Sequence, residues 1–454
     1  MAGIILRRFI YVIPLFVVYT LVSCEKPLLD GALRQDSQGN YNYYVGSSPE
    51  RMRNKSDLEV AKEVGRINAI KKAYQLTKIS FRPSNVIEAN WRRYEPGVDY
   101  NGMIYSSVKE LGTYVGTNVS LYTFATAICN PKSKLYTERI NEPPYHGVNC
   151  RAYYGTVCSA MVSYALGLTG YGSYDYGDID VMEDIRYQVP EDVNVADVLW
   201  RYGHVAIITD MKFHDNGLVE MIEISEALQN GCVTNRYDRE SFNEVVKTQF
   251  KAVLRYTELE KNIEYHSCPS IVPVLDEAPE PQNFNVKICV DKGDKSNYLL
   301  GEEVTINVFS VYDSIVVYKD EQRYKRMLFD GDSSDIILTN LPYGSYNAKC
   351  WSNNTILEET RWIVVDYNVA FELGSLRLCF SSLNSTPYSV RLCDQAGGRK
   401  QSSRVLFSRD ITDEERNAGI IRIPADKVLN DYRYAQVSFK TDFGIISTRP
   451  ILTQ

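Results

Sequence analysis

Cys158 is the residue of this chain best placed to do covalent chemistry. It follows a Gly-Thr-Val turn and opens the run CSAMVSYAL, which is apolar on all sides and predicts a buried helix. At a helix start, unpaired N–H groups and the positive end of the helix dipole favour a thiolate over a thiol. Cys158 is therefore a candidate nucleophile. The alternative is a small buried hydrophobe, the commoner fate of a single cysteine.

A nucleophilic cysteine needs a base. The histidines of the chain are His146, His204, His214 and His266. His204 follows a glycine in GHVAIITDM, a run that predicts a buried strand with the histidine at its start. The sequence HDNG then predicts a hairpin, and LVEMIEIS, residues 218–225, its return strand. Glu223 is an acid inside that run, flanked by two isoleucines. A buried carboxylate needs a partner, and accepting the second N–H of His204 would orient the imidazole.

A cysteine at a helix start, the sequence GHVAII and a hairpin that leads to M-I-E together resemble the papain-like cell-wall peptidases of the NlpC type. The resemblance extends over roughly Asn101 to Glu260. It implies Cys158 as the nucleophile, His204 as the base and Glu223 as the third, orienting residue. The fold that it implies for this part is an α+β papain-like hydrolase.

The surroundings of the cysteine match that family only in part. The family usually has Asp-Cys-Ser-Gly, and here Val157 and an alanine replace the aspartate and the glycine, while Ser159 matches. PYHGVN, with Tyr145 thirteen residues before the cysteine, loosely resembles the family's Tyr-x-Trp-Gly-Gly segment. The resemblance implies substrate binding by Tyr145 and Ser159. In that family the aspartate before the nucleophile binds the free amine of the substrate's first residue. Because valine offers no acceptor for an ammonium group, we expect little preference for a free N-terminal amine, unless Glu or Asp from residues 168–194 or 95–106 supplies the charge instead.

The implied activity is cysteine-dependent amide hydrolysis without a cofactor, on a peptidoglycan stem peptide cut after a D-Glu-type residue. Two alternatives stay open. One is a related thiol amidase or acyltransferase that acts on a non-wall substrate. The other is a non-catalytic lipoprotein whose β-domains bind glycan or another protein.

The N-terminus predicts export and a lipid anchor. Two arginines precede the apolar run FIYVIPLFVVYTLV, which is too short for a comfortable membrane span and typical of a signal peptide. It ends in Leu-Val-Ser-Cys, which resembles a bacterial lipobox. We expect a signal peptide over residues 1–23, lipidation of Cys24 and a polar tether over 24–55 that holds the protein at a membrane of the bacterial envelope, facing the periplasm or the cell surface. The alternative is an ordinary secretory signal.

Composition limits the partners. The formal net charge is −7 and no basic cluster occurs, which argues against nucleic-acid binding. Besides Cys24 and Cys158, eight cysteines remain, an even number that permits disulfides without showing them. There is no CxxC pair and no zinc-type His/Cys spacing, so no metal site is predicted.

The 454 residues divide where the pattern changes. We predict a helix over residues 57–76 within a hydrolase domain of residues 56–267, followed by a Pro-rich linker over 268–282. Short alternating strands with turns then predict two all-β sandwich domains, residues 283–368 and 369–454. The sequence does not choose a role for either sandwich.

Overall fold

A computed structural model of the chain describes most of the sequence outside its N-terminal part. The described residues are 32–35, 41–44, 56–89, 92–106, 114–136, 154–168, 171–262, 280–328, 335–372, 375–380, 384–394, 405–422, 433–448 and 451–452. The predicted signal peptide lies outside them, and so does most of the predicted linker.

The first part of the chain is dominated by one long helix. Up to residue 136 the elements are β1 (Ala32–Gln35), β2 (Tyr41–Tyr44), α1 (Asp57–Lys78), β3 (Ser80–Phe81), β4 (Ile87–Ala89), β5 (Arg92–Tyr94), β6 (Tyr100–Asn101) and α2 (Leu121–Ile128). The predicted helix α1 is confirmed, and Ser56 is its N-cap. The Ser56 hydroxyl accepts the Glu59 N–H, and the Glu59 carboxylate accepts the Ser56 N–H, a reciprocal capping box.

A six-stranded antiparallel sheet forms the centre of the next part. Its elements and the helices around it are α3 (Cys158–Leu166), β7 (Met182–Asp184), β8 (Val198–Arg201), β9 (His204–Phe213), β10 (Val219–Leu228), β11 (Gly231–Asp238), α4 (Arg239–Gln249) and β12 (Ala252–Tyr256). The strand order is β11-β10-β9-β8-β12-β7. Helix α3 packs on α1 and against β9 and β10.

One buried side chain, Asn262, ties the two helices together. Its Nδ2 donates to the carbonyl of Gly65 in α1 at 3.0 Å and to the carbonyl of Ala165 in α3 at 2.8 Å. Its Oδ1 accepts a 2.6 Å hydrogen bond from Lys72. Asn262 is 2% exposed, so water cannot replace these contacts. The position of α3 therefore depends on a residue about a hundred positions further along the chain.

Two β-sandwiches follow. The strands of the first are β13 (Ile288–Val290), β14 (Ser296–Leu299), β15 (Val304–Val308), β16 (Ser314–Lys319), β17 (Gln322–Leu328), β18 (Ile336–Leu338), β19 (Gly344–Ser352) and β20 (Thr355–Val365). They form a three-stranded sheet, β13-β15-β18, and a five-stranded sheet, β14-β20-β19-β16-β17. Between the sheets, the fully buried rings of Tyr346 and Trp362 stack with centroids 5.3 Å apart.

The second sandwich repeats this arrangement of sheets. Its elements are β21 (Tyr367–Glu372), β22 (Ser375–Phe380), β23 (Thr386–Cys393), β24 (Val405–Asp410), α5 (Asp413–Ala418), β25 (Ile420–Arg422), β26 (Tyr434–Thr441), β27 (Gly444–Ser447) and β28 (Ile451–Leu452). The sheets are β21-β22-β25 and β24-β23-β26-β27, with β28 paired to β26. Leu299, Ile363 and Val365 of the first sandwich belong to the core of the second. The all-β sandwiches predicted from the alternating pattern are confirmed.

The first sandwich docks on α2 and the turn after it through polar contacts. Lys134 Nζ lies 2.7 Å from the Asp291 carboxylate, and the side-chain amide of Asn130 donates to Asn307 at 2.9 Å. Asp291 and Asn307 are buried, so these contacts are shielded from water. The β-domains are thus fixed to the N-terminal part by specific hydrogen bonds.

We expect Asn262→Ala to lower the free energy of unfolding by about 2–4 kcal/mol, because two buried carbonyls lose their donor and Lys72 loses one acceptor. Denaturant titration followed by circular dichroism measures this change. Asn216→Ala, in an exposed turn, is the matched control and should cost about 0.5 kcal/mol or less. Equal effects of the two substitutions would contradict the role assigned to Asn262.

Candidate active site

Cys158 is the first residue of α3, as the sequence predicts. Val157 precedes it as the N-cap in an extended conformation, with φ −124° and ψ 170°, and makes no side-chain cap. The first turn of α3 carries no acidic residue. Cys158 is 5% exposed. No acidic side chain therefore offsets the positive end of the helix dipole at the start of α3.

His204 reaches this cysteine from the neighbouring sheet. It is the first residue of β9, directly after a tight turn in which Gly203 has φ +83°. Glycine tolerates that conformation without strain. The imidazole interacts with the side chains of both Cys158 and Glu226. The predicted meeting of a helix-start cysteine and a strand-start histidine is what the structure describes.

Glu226 in β10 holds the imidazole from the other side. Its Oε2 lies 2.8 Å from Nε2 of His204, and its Oε1 accepts a 2.8 Å hydrogen bond from the side-chain amide of Asn235. The side chains of His204 and Glu226 are only 13% and 9% exposed. Because both carboxylate oxygens are held, the ring orientation is fixed. Nδ1 is then the nitrogen left for Cys158.

These contacts change the titration of the histidine. Burial alone would lower the pKa of His204, but hydrogen bonds and charge interactions with Cys158 and Glu226 outweigh burial and raise the pKa from 6.5 to about 9. The imidazolium form is therefore favoured at neutral pH. A protonated imidazole beside a cysteine at a helix start is the arrangement that supports a thiolate–imidazolium pair.

Glu223, predicted to orient His204, lies elsewhere. Its Cα pairs with that of Asp210, six residues along β9 from His204, which is about 20 Å at about 3.3 Å per residue. The Glu223 carboxylate accepts hydrogen bonds from Tyr74 at 2.6 Å, Thr209 at 3.1 Å and Arg236 at 2.9 Å. The prediction that Glu223 orients His204 is wrong, and the carboxylate that contacts the imidazole is that of Glu226.

Strand length and register explain this correction. The sequence indicates a return strand that ends at Ser225, but β10 continues to Leu228 and so includes Glu226. Ser225 pairs with Ile207, which places Glu226 one step nearer to His204. The pairing also shifts between Glu223 and Ile224, a bulge-type irregularity that changes which residues share a face. The continued run ISEAL is the one sequence signal that could have indicated Glu226.

Four of the other described thiols are less reactive candidates. Burial raises the pKa of Cys129, Cys232, Cys289 and Cys350 above the ordinary value for a thiol. A raised pKa leaves little thiolate at neutral pH. Together with Cys158 and Cys393 they are free cysteines in the described part of the chain.

The predicted substrate-binding residues differ in what can be said of them. Ser159 is 8% exposed, and its carbonyl accepts a 3.1 Å hydrogen bond from Tyr176. The same Tyr176 hydroxyl lies 2.8 Å from the Ser163 hydroxyl, so it fixes the first turns of α3. Tyr145 lies outside the described residues, as does the predicted lipidation site Cys24.

Two further features are absent from the described residues. They contain no group of three or more His, Cys, Asp or Glu side chains arranged to hold a metal ion. None of their helices has the length and apolar character needed to cross a membrane.

We expect Glu226→Gln to lower the pKa of His204 from about 9 toward 6.5, because the charge that stabilises the imidazolium is removed. Histidine NMR shifts followed against pH measure this, and four histidines keep the spectrum simple. Glu223→Gln, three residues earlier in the same strand, is the matched control and should leave the His204 titration in place. The reverse pattern would restore Glu223 as the partner of His204.

No protein-family model matches the chain, and no curated protein matches it. A β-glucuronidase from glycoside hydrolase family 2 is 13% identical over 37% of this chain and 20% of its own length, with a TM-score of 0.15. The fibronectin(III)-like modules of Clostridium thermocellum CbhA are 12% identical over 36% of this chain and 90% of theirs, at TM-score 0.15. The human OSCAR ligand-binding domain is 10% identical over 36% of this chain and 96% of its own, at TM-score 0.16. Likenesses this low carry no argument about this chain.

Proposed function

We propose that this protein is a cysteine-dependent amide hydrolase with a papain-like catalytic unit, which cleaves peptidoglycan stem peptides at the bacterial envelope. The observation that supports it most strongly is the contact network of Cys158, His204 and Glu226. Cys158 comes from α3, His204 from β9 and Glu226 from β10, and His204 interacts with both of the others. Nucleophile, base and orienting group are the three roles that thiol-dependent amide hydrolysis requires.

In the first half of the reaction, the Cys158 thiolate attacks the amide carbonyl and forms a C–S bond. The His204 imidazolium then gives its proton to the leaving nitrogen as the C–N bond breaks, which yields a thioester and a free amine. Glu226 stabilises the imidazolium without taking its proton. The N–H groups of the first turn of α3, which no side chain caps, are suited to stabilise the oxyanion.

In the second half, neutral His204 takes a proton from water, and the resulting hydroxide equivalent attacks the thioester. The C–S bond breaks, the carboxylic acid leaves and the thiolate–imidazolium pair is restored. An amine acceptor in place of water would give acyl transfer by the same steps. The same residues therefore serve the alternative of an acyltransferase.

The substrate and the location rest on the sequence. The resemblance to NlpC-type peptidases supports a stem peptide as substrate, and the apolar N-terminal run with Leu-Val-Ser-Cys supports anchoring at the envelope through Cys24. Val157 occupies the position of the aspartate that grips a free amine in that family. The proposal therefore includes stems whose first residue is still linked to sugar.

The direct test is incubation of the full chain, purified in detergent, with defined muropeptides and mass spectrometry of the products. We expect cleavage of one stem-peptide amide by the wild type and at least about a thousandfold slower cleavage by Cys158→Ala, since the nucleophile is gone. Cys232→Ala, another buried cysteine, is the matched control. Cleavage by the Cys158→Ala protein at the wild-type rate would contradict the proposed mechanism. Intact muropeptides with intact thiol reactivity would favour a non-wall substrate.

A second test follows the ion pair. We expect His204→Ala to slow iodoacetamide alkylation of Cys158 about tenfold or more at pH 7, because the imidazolium that stabilises the thiolate is lost. The pKa of His204 is raised to about 9, so its charge disappears as the pH rises through that value. The difference between wild type and mutant should therefore shrink above pH 9. His214→Ala is the control, since His214 lies in an exposed turn; equal rates in all three proteins at pH 7 would contradict the pair.

A further inference from the structure

An exposed aromatic surface lies at the end of the sheet where His204 begins β9. Among the described residues of 56–262, the exposed aromatic side chains are Tyr174, Tyr202 and Phe213. Phe213 is the last residue of β9, so it lies at the opposite end of that strand. Tyr174 and Tyr202 instead adjoin each other, with ring centroids 6.5 Å apart and planes inclined by 30°. We call this pair the tyrosine platform.

Tyr202 is held in place although it is 60% exposed. It belongs to the turn between β8 and β9, where Arg201 pairs with His204. Its ring packs on that of Trp200, with centroids 5.1 Å apart. The Lys251 ammonium lies 4.2 Å from the centroid of the Tyr202 ring and donates to its hydroxyl at 2.8 Å. Because a cation over one face of an aromatic ring restrains it, the rest of the ring is presented to solvent in a fixed orientation.

The segment that carries Tyr174 is attached to both halves of the candidate active site. The carbonyl of the preceding residue, Ser173, accepts a 2.8 Å hydrogen bond from the indole of Trp200 in β8. Two residues further on, the Tyr176 hydroxyl donates at 3.1 Å to the carbonyl of Ser159, the residue after the nucleophile. Tyr174 itself is 48% exposed. Its position is therefore set by β8 and by the first turn of α3.

The tyrosine platform and the imidazole lie on one exposed edge of the sheet. Tyr202 and Gly203 form the exposed turn that leads directly into His204. The Tyr174 hydroxyl lies against Gly203, 3.4 Å from the point where a side chain at that position would begin. Residues 228–230, in the turn between β10 and β11 at the same end of the sheet, are exposed too. A ligand on the platform therefore reaches His204 along the surface of one turn.

The chemistry of the platform suits a sugar. One face of a pyranose ring carries C–H groups that pack on an aromatic face, whereas the hydroxyl and acetamido groups at its rim need hydrogen-bond partners. Tyr202 and Lys251 place a hydroxyl and an ammonium beside the exposed ring. A purely apolar ligand would take water from these two groups and offer no acceptor in return, so it fits less well.

The distance to the imidazole fits the substrate of the proposed function, on which this inference rests. In a stem cut after its D-Glu-type residue, two residues separate the scissile amide from the sugar, about 7 Å of extended chain. Tyr202 and His204 are also two residues apart, so their Cα atoms are separated by about 7 Å at most. Val157 offers no acceptor for a free amine, and a stem that is linked to sugar has no free amine at its first residue.

We propose that Tyr202 and Tyr174 form a carbohydrate subsite that binds the muramyl sugar to which the stem peptide is attached. The ring of Tyr202 stacks on the sugar, and Lys251 donates a hydrogen bond to one of its oxygens. The two tyrosines are specificity-determining residues and take no part in the proton transfers. The enzyme then selects stems that are still part of the glycan over free peptides.

The test measures binding by the full-length Cys158→Ala protein in detergent, so it does not depend on turnover. Calorimetry compares N-acetylglucosaminyl-N-acetylmuramyl-L-alanyl-γ-D-glutamyl-L-lysine with the same tripeptide acetylated at its first amine, so that neither ligand has a free amine at the first residue. Both titrations are repeated after addition of Tyr202→Ala, Tyr202→Phe or Tyr343→Ala. Tyr343 is an exposed tyrosine of the first sandwich and serves as the matched control.

We expect the parent protein to bind the disaccharide tripeptide about tenfold more tightly than the acetylated tripeptide, because stacking buries apolar surface of the sugar and the ring. Tyr202→Ala should abolish this preference, whereas Tyr202→Phe and Tyr343→Ala should keep it, since the ring makes the contact. Equal binding of the two ligands by the parent, an unchanged preference in Tyr202→Ala or a lost preference in Tyr202→Phe would overturn the proposal, as would no binding of either ligand at millimolar concentration.

The subsite and the proposed function can fail separately. A preference for the disaccharide tripeptide without cleavage of it by the wild type would contradict the proposed function and leave the subsite standing. Cleavage of the stem amide by the wild type without any preference for the sugar-linked form would keep the proposed function and contradict the subsite.

Discussion

The site depends first on the contact between His204 and Glu226. A carboxylate with 9% exposure loses most of its hydration, and it stays ionised only if cationic or donor groups replace the water. His204 and Asn235 supply those groups, from strands on either side of β10. The network therefore requires three strands in correct register. A slip of one residue would turn Glu226 to the opposite face and leave a charge buried without a partner.

The same strand carries a second buried acid with a different task. Glu223 is bound by Tyr74 of α1 and by Arg236 of β11, so it attaches the long helix to the sheet. Asp210 lies opposite, and burial, reinforced by the charge of Glu223, raises its pKa to about 6. Two like charges at close range in a protein interior disfavour full ionisation of both. Repulsion between Glu223 and Asp210 thus opposes folding at this point of the sheet. Glu226, in contrast, holds the imidazole through its charge.

The sequence predicts the parts of this protein that depend on local pattern. Helix α3 begins at Cys158, β9 begins at His204 and the sandwiches follow from alternation, because each is set by neighbouring residues. The exchange of Glu223 for Glu226 follows from the strand end and the register shift at Glu223 and Ile224, which depend on pairing with β9. Arg391 and Ser159 line the same cavity, and this depends on the docking of segments more than two hundred residues apart. No local pattern encodes it.

The β-domains are coupled to the nucleophile helix through a closed series of contacts. The segment that includes α2 holds the first sandwich through Lys134 and Asp291, and the first sandwich contributes Ile363 and Val365 to the core of the second. The second sandwich meets α3 at a small cavity that residues of both line. Because each contact is made by rigid, packed elements, the distance between Arg391 and Cys158 is set jointly by all of them. The Cys158–His204 contact, in contrast, lies within a single antiparallel sheet and the helix packed on it.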